Sequence, residues 1–257
     1  MSQEHRVSRL RPALGTLAGI EARAITERLA ERALAAGYAA LIRVEALLHP
    51  FRAGSDLARL NAAPAGSRVA VHPWTAELLR FSRELCLLSA GGFEPALPTL
   101  GTVLQWLPAG PRSVYVRHAA QVDLGGIAKG FAVDRAVAAM RAAGAAAGLV
   151  NAGGDLRVFG PGAWPLWIRL GGAELRQVLL KDGALAGSDP GLPHPPAEHR
   201  GYFPPRHSRR SAARVAAVMA PTAAVADALT KLLVFGARGD SAALLARYHA
   251  QEIRPLN

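Results

Sequence analysis

The feature that most constrains this chain is the stretch from Asp123 to Asp134, Asp-Leu-Gly-Gly-Ile-Ala-Lys-Gly-Phe-Ala-Val-Asp. A short strand-like run leads into Asp123, and two glycines follow it. From Ile127 to about Ala143, apolar side chains recur at the spacing of a helix. The pattern therefore predicts a strand that turns at the glycines and continues as a helix.

The predicted start of this helix has the chemistry of an anion site. Gly125 and Gly126 carry no Cβ, so the backbone there can approach a ligand closely. The free N–H groups of a first helical turn suit a phosphate, and the Lys129 ammonium could reach the same anion. Asp123 could cap the helix, accept a hydrogen bond from a ligand, or help hold a metal. A plain glycine turn with a capping Asp explains the same residues, so this stretch alone leaves both interpretations open.

Two later stretches carry glycines or acids at unusual places. Asn151-Ala-Gly-Gly-Asp155 lies between a short apolar run and a strand-like segment, where paired glycines indicate a turn or a bulge. Asp227 lies within an apolar helix that is predicted from Thr222 to Phe235. A carboxylate among apolar neighbours needs a partner. That partner is either a bound cation or Lys231, which follows one helical turn later.

Taken in order, Asp-Leu-Gly-Gly-Ile-Ala-Lys-Gly-x-Ala-x-Asp, Asn-x-Gly-Gly-Asp and Ala-Asp-Ala-Leu make this chain resemble the FAD:protein FMN transferase (ApbE) family. The resemblance implies transfer of FMN from FAD to a Thr or Ser hydroxyl of an acceptor flavoprotein, with release of AMP. It also implies that Mg²⁺ counters the charge of the phosphates. The alternative is a flavin- or nucleotide-binding homologue that has lost transferase activity.

The resemblance also implies which residues form the site. It gives Asp123 a hydrogen bond to the isoalloxazine ring and Lys129 a contact with FAD. Mg²⁺ prefers oxygen ligands, and the resemblance places them at the Gly126 carbonyl, the Asp227 carboxylate and the Thr230 hydroxyl. Further contacts with the flavin are implied at the positions that match other family segments, namely Leu14, Phe51, Gly92, Phe93 and Glu94.

Two positions depart from the family pattern. The family has Thr four residues after the helix Asp, where this chain has Lys231, and Thr230 lies about 100° away round the helix. An ammonium group cannot ligate a cation, so Lys231 could pair with Asp227 instead. The family also carries a His-x-x-Asp-Pro segment that this chain lacks. His199 lies nearest the expected spacing for a catalytic base, although a histidine in a basic, proline-rich loop is more often plain surface.

The alternation of elements predicts an α+β fold in one domain over residues 1–257. Hairpin-linked strands favour a mostly antiparallel sheet over a doubly wound parallel one. Strands are expected over 14–24, 113–123, 148–159, 164–180 and 214–219. Helices are expected over 26–48, 73–90, 127–143 and 222–235, and the resemblance implies another over 100–106.

Composition narrows the choice of partners. The net charge of +11 favours anionic partners, but the arginines are scattered and no nucleic-acid-binding signature accompanies them, so nucleic acid is disfavoured as a partner. Cys86 is the only cysteine, which excludes a disulfide within the chain. No segment reaches the length of a membrane span and no signal peptide is evident, so we expect a cytoplasmic protein without a membrane partner.

Overall fold

The computed structural model describes residues 4–97, 101–170, 175–189, 215–235 and 241–254. Helices and antiparallel strands are mixed along the chain, which confirms the predicted α+β fold. The strands are β1 (His5–Ala13), β2 (Thr16–Ala24), β3 (Ser67–Ala70), β4 (Trp106–Pro108), β5 (Ser113–Val116), β6 (Ala147–Ala152), β7 (Asp155–Phe159), β8 (Trp164–Arg169), β9 (Leu175–Leu180), β10 (Ala184–Ser188), β11 (Ala216–Ala220) and β12 (Gln251–Ile253). The helices are α1 (Glu27–Leu48), α2 (Asp56–Asn61), α3 (Pro73–Leu88), α4 (Ala128–Ala142), α5 (Ala223–Phe235) and α6 (Ser241–Arg247).

A seven-stranded sheet forms the centre of the described structure. Its strands lie in the order β1-β2-β6-β7-β10-β11-β12, and each pairing is antiparallel. The predicted strand pairs over 148–159 and 164–180 are confirmed as the β6–β7 and β8–β9 pairs. The sequence does not predict β3, β4 or β12, because strands of three or four residues carry too little alternation to detect.

The sheet begins one strand earlier than the sequence predicts. The strand expected over 14–24 starts only at Thr16, and β1 precedes it as an antiparallel partner. Leu14 and Gly15 form the two-residue turn between these strands, with φ values of 56° and 69°. Two positive φ values belong to the tight hairpin turn that matches the twist of the strands. Leucine rarely adopts this conformation, so the sequence does not predict a turn at Leu14.

Three helices cover one face of this sheet, with α1 over β1 and β2, α4 over β6 and β7, and α5 over β10 and β11. Thr26 caps α1 by accepting the Leu29 N–H at 3.2 Å. Gly37 allows α1 to lie close to the sheet, since a Cβ at this position would stand 2.9 Å from Ile20 Cδ1. The main hydrophobic core lies between these helices and the sheet.

The β8–β9 hairpin contributes a second, smaller core. Trp164, Ile168 and Leu180 of the hairpin are buried with Val158 and Leu185 of the large sheet in one apolar cluster. The large sheet is therefore packed on both faces. A charged side chain on this sheet must therefore either lie at an end of a strand, near solvent, or pair with a charged or hydrogen-bonding group in the interior.

The helix expected over 100–106 is wrong for its described part. That part contains a single 3₁₀ turn, Val103–Gln105, which is followed at once by β4. The Glu94 carboxylate takes the first N–H of this turn at 2.9 Å. Trp106 then pairs with Val116 in the small sheet β3-β5-β4. A partly buried carboxylate and a strand partner therefore stand where the resemblance implies a helix.

The strand expected over 113–123 is also too long, because β5 ends at Val116. Beyond it, Val122 keeps only an isolated bridge to Ala96. The Asn61 side chain accepts the Val122 N–H at 2.8 Å and donates to the Val122 carbonyl at 3.0 Å. A side chain of α2 thus takes the place of a neighbouring strand directly before Asp123.

The predicted α1, α3, α4 and α5 are confirmed to within about two residues at each end. No helix in the described part of the chain combines the length and the apolar character needed to cross a bilayer. The cytoplasmic location stays a prediction.

Candidate functional site

Helices α4 and α5 begin side by side, and the charged residues of the three sequence motifs meet around this junction. Gly130, in the first turn of α4, makes the close approach possible. A Cβ at Gly130 would stand 2.2 Å from the carbonyl oxygen of Ala223, the first residue of α5. This distance is far below any real contact, so the junction requires glycine at this position.

Asp134 fixes the start of α5 from the neighbouring helix. Its two carboxylate oxygens accept the N–H groups of Ala223 and Ala224, each at 2.9 Å, and Arg157 donates to it at 2.7 Å. Burial raises the pKa of Asp134, while Arg157 and the two N–H groups act against that rise. Sequence reasoning missed this role, although Asp134 closes the central motif and lies one helical turn after Gly130.

Asp227 lies at the centre of the junction, and its side chain is fully buried. One oxygen accepts the Gly130 N–H at 3.1 Å, and the other contacts the Lys231 ammonium at 2.8 Å. The carboxylate thus satisfies an N–H at the start of α4, where the positive end of the helix dipole favours a negative charge. Of the two partners that the sequence allows for Asp227, the structure contains Lys231.

The Lys231 ammonium is surrounded by three oxygens. Besides Asp227 Oδ1, it donates to Ser188 Oγ at 2.8 Å and to Thr230 Oγ1 at 3.2 Å. The Thr230 hydroxyl donates to the Asp227 carbonyl at 2.7 Å, so the Ser188 hydroxyl is the donor in the 2.7 Å contact between the two hydroxyls. Each donor in this group therefore has an acceptor. Sequence reasoning did not include Ser188, which ends β10 and comes close only through the sheet.

A second ion pair lies beside the first. The Lys129 ammonium contacts Asp155 Oδ2 at 2.8 Å, and Asp155 is buried at the start of β7. Burial and the nearby Asp227 raise the pKa of Asp155, and Lys129 and Lys231 act in the opposite direction. Asp155, with a smaller contribution from Asp227, raises the pKa of Lys129 against the effect of burial. The four groups therefore form one charge cluster of two ammonium groups and two buried carboxylates.

The turn that delivers Asp155 explains the paired glycines of the second motif. Gly153 and Gly154 have φ values of 63° and 99° and form the two-residue turn between β6 and β7. Asn151 accepts the Gly154 N–H at 3.0 Å and holds this turn. A Cβ on Gly153 would stand 3.0 Å from Thr16 Oγ1, so the β1–β2 turn that carries Leu14 lies beside it.

Asp123 lies directly before the glycine turn that leads into α4. Its Oδ1 accepts the Gly125 N–H at 2.7 Å, and its own N–H donates to the Pro95 carbonyl at 2.9 Å. Burial raises the pKa of this carboxyl, and the Gly125 N–H partly offsets the rise. Asp123 therefore stabilises the glycine turn rather than the first turn of the helix itself. Gly126 lies in the same turn.

The segment around Glu94 is held by internal hydrogen bonds. Glu94 accepts the Ala96 N–H at 2.9 Å and a hydrogen bond from the Thr102 hydroxyl, in addition to the N–H that starts the 3₁₀ turn. Cys86 lies 3.4 Å from the same carboxylate, and burial together with Glu94 raises the pKa of this thiol to about 12. Phe93 is fully buried in the main core, directly after Gly92. These contacts give Glu94 and Phe93 a structural role, and the predicted flavin contacts of Gly92, Phe93 and Glu94 stay a proposal.

Two other predicted positions lie near the end of α1. Leu14 donates its N–H to Glu45 of this helix at 3.1 Å. Phe51 follows the helix and is 72% exposed; its ring makes an edge contact with His49, and its N–H donates to His49 Nδ1 at 3.2 Å. The predicted base, His199, lies outside the described residues. The contacts of Leu14 and Phe51 leave their predicted place at the flavin a proposal.

Of the predicted metal ligands, Asp227 and Thr230 meet at Lys231. Gly126 lies in the turn that precedes α4, and its carbonyl as a ligand stays a prediction. Within the same described ranges, no group of three or more His, Cys, Asp or Glu side chains is arranged to hold a metal ion. The Lys231 ammonium contacts the oxygens that a metal ion would need, so the residues present do not fit Mg²⁺ at Asp227.

Comparison with known proteins identifies the family of the chain. The sequence model of the ApbE family matches residues 14–114 and 102–254, which together cover most of the chain. The chain belongs to the ApbE family. A curated relative, FAD:protein FMN transferase of Rhodobacter capsulatus, is 32% identical over 175 residues. That match covers 57% of this chain and 33% of the relative, so the chain spans about a third of the length of the relative.

Solved structures of ApbE proteins have the same fold. The apo form of the flavinyl transferase ApbE of Pseudomonas stutzeri superimposes with a TM-score of 0.80 at 20% identity, over 99% of this chain and 92% of that one. The ApbE protein of Thermotoga maritima gives a TM-score of 0.75 at 22% identity, over 95% and 91% of the two chains. These matches establish the ApbE fold for this chain.

Proposed function

We propose that this chain transfers FMN from FAD to a Thr or Ser hydroxyl of an acceptor protein and releases AMP. The observation that carries the proposal is the convergence of three distant motif segments on one charge cluster, in a chain of the ApbE family. Glycine turns that serve only the fold would not require charged residues from three distant segments to meet in one place. The 32% identical FMN transferase supports the same chemistry.

The start of α4 supplies the donors that a diphosphate needs. Lys129 is about one-third exposed and uses one contact, to Asp155, among the described residues, so two of its N–H bonds remain for an anion. The backbone N–H groups of Gly126 and Lys129 also donate to no described acceptor. Together with the helix dipole, these donors favour the diphosphate of FAD. Asp155 keeps Lys129 charged and directs it to this position.

The reaction is a displacement at phosphorus. The acceptor hydroxyl oxygen forms a bond to the phosphorus of the FMN half, the bond from that phosphorus to the bridging oxygen of AMP breaks, and the hydroxyl proton leaves to a base. Lys129 would counter the charge that builds on the phosphate oxygens. Asp123, with Oδ1 occupied by Gly125, would use Oδ2 to accept from the flavin ring. His199 as the base stays a prediction.

A direct experiment follows the two products. The purified chain is incubated with FAD and a flavoprotein acceptor that has a Thr or Ser flavinylation site. AMP release is measured by chromatography, and flavin on the acceptor is detected by fluorescence in a denaturing gel. We expect both signals together. Bound FAD without AMP or a fluorescent acceptor would reject the transfer.

That negative result would support the second candidate, a flavin-binding homologue without transfer activity. The observation in its favour is the Lys231 ammonium at Asp227, where the family resemblance implies a metal. A single ammonium polarises a phosphate less than a divalent cation does. This candidate predicts that FAD binds, that it is not cleaved, and that Lys129 still contributes to affinity.

A further inference from the structure

The oxygens around Lys231 form a set built for a cation. The ammonium nitrogen lies 2.8 Å from Asp227 Oδ1, 2.8 Å from Ser188 Oγ and 3.2 Å from Thr230 Oγ1. Asp227 and Thr230 are completely buried, and Lys231 retains only 14% of its side-chain exposure. Two of the oxygens come from α5 and one from β10, so a helix and a strand converge on the same small volume.

The set is oriented before any ligand arrives. The Gly130 N–H holds the second oxygen of Asp227, which directs Oδ1 at the ammonium. The hydroxyl hydrogen of Thr230 is used by the Asp227 carbonyl, so the lone pairs of Thr230 are left for Ser188 and Lys231. Each of the three N–H bonds of Lys231 therefore has one acceptor, and the ammonium fills the set completely.

A divalent cation and this ammonium exclude each other. Mg²⁺ would need the same oxygens at about 2.0–2.1 Å, in the volume that the ammonium nitrogen now fills. Expelling Lys231 would break three hydrogen bonds, one of which is the ion pair with the buried Asp227 carboxylate, and this is costly unless the incoming ion replaces them all. With Lys129 and Asp155 beside it, the cluster is already neutral, so no uncompensated negative charge attracts a cation.

We propose that Lys231 is the resident cation of this site, covalently fixed to α5, and that the chain therefore binds FAD without a divalent ion at Asp227. The inference rests on the proposed function only in naming FAD as the anion that the cation serves. Because all three N–H bonds of Lys231 are used, it contributes charge and holds Asp227, while Lys129 donates to the phosphates. Lys231 is thus a positioning residue.

The test uses Mn²⁺ as a spectroscopic probe for a divalent site, by electron paramagnetic resonance, on the whole chain without flavin. The wild type should bind no Mn²⁺ at Asp227. Lys231→Met, which keeps the length of the side chain and removes its charge, should bind Mn²⁺ at least about tenfold more tightly. Lys181→Met removes the same charge from an exposed turn and serves as the matched control. Asp227→Asn added to Lys231→Met should abolish the gained binding.

Two results would overturn the proposal. One is a wild type that binds Mn²⁺ in a site that Asp227→Asn removes. The other is a Lys231→Met variant that binds no more tightly than Lys181→Met. If Lys231→Met does not fold, Lys231→Thr replaces it, and the wild-type titration alone still decides the first point. Because the assay contains no flavin, its outcome is independent of whether FMN transfer occurs.

Discussion

At the scale of single residues, each partly exposed lysine of the site stands over a buried carboxylate. Lys129 pairs with Asp155, and Lys231 pairs with Asp227. A carboxylate taken out of water is costly unless a charged partner compensates it. The carboxylates therefore hold the lysine side chains in position, and the lysine ammonium groups offset the cost of burying the carboxylates. Function and stability are coupled in these pairs.

The first prediction concerns the pair of Lys129 and Asp155. Lys129→Met should lower the free energy of unfolding by about 1–3 kcal/mol, less than for a fully buried pair because Lys129 is one-third exposed. Adding Asp155→Asn should recover most of the loss, since no buried charge then lacks its partner. Urea unfolding of the two variants measures both effects. A double variant as unstable as Lys129→Met would contradict the coupling.

The second prediction concerns Asp123, whose pKa is raised by burial. A carboxyl with a raised folded-state pKa favours folding below its ordinary pKa and loses that contribution as pH rises through the folded value. Asp123→Asn keeps an oxygen for the Gly125 N–H and removes this penalty. It should raise the stability at neutral pH by about 0.5–1 kcal/mol, and the gain should vanish in acid.

Thermal unfolding of Asp123→Asn and of the wild type tests how the stability difference changes with pH. Measurements between about pH 4 and pH 8 cover the range in which a carboxyl with a raised pKa titrates. The same variant should bind FAD more weakly, because its amide presents a donor where the flavin ring needs an acceptor. An Asp123→Asn variant that is less stable than the wild type at every pH would show that burying the charged Asp123 carboxylate does not lower the stability.

At the scale of elements, the junction of α4 and α5 depends on Gly130. The third prediction is that Gly130→Ala destabilises the fold by about 1–3 kcal/mol or more, because its Cβ meets backbone rather than a flexible side chain. Gly19→Ala is a suitable control, since its Cβ would lie 3.6 Å from Leu10 Cδ1, an ordinary contact. Denaturant midpoints compare the two. Equal losses of stability in the two variants would mean that α4 and α5 can move apart at Gly130 without a loss of free energy.

Elements with a long periodic pattern could be predicted from the sequence, and short or unusual ones could not. The helices α1, α3, α4 and α5 were predictable because each has apolar side chains over several turns. The β1–β2 turn was not, because Leu14 adopts a conformation that leucine disfavours. The helix that the resemblance implies over 100–106 is wrong for a tertiary reason, since Glu94 accepts the first N–H of the 3₁₀ turn that forms there instead.

The candidate site shows the same division. Asp123, Lys129, Asp227 and the alternative partner Lys231 could be identified because glycines and acids mark them locally. Ser188 could not, since only the order of strands in the sheet brings β10 to α5. The choice between a metal and Lys231 at Asp227 also required geometry, because both partners satisfy the same spacing.

At the scale of the whole molecule, the large sheet and three helices bring positions 97 or more residues apart in sequence into contact, as Gly130 and Asp227 show. The net charge of +11 further favours an anionic ligand. The start of α4, with Lys129 held by Asp155, is the place where the chain binds the diphosphate of FAD.

Titration of FAD into the Lys129→Met, Asp155→Asn double variant and into the wild type, followed by flavin fluorescence, measures how much this position contributes to FAD binding. The double variant keeps the buried site neutral, so it separates binding from folding. We predict that its affinity for FAD falls by about 1.5–3 kcal/mol, the scale of hydrogen bonds to a charged group, while its affinity for riboflavin, which has no phosphate, does not change. Equal affinity of both proteins for FAD would contradict the claim.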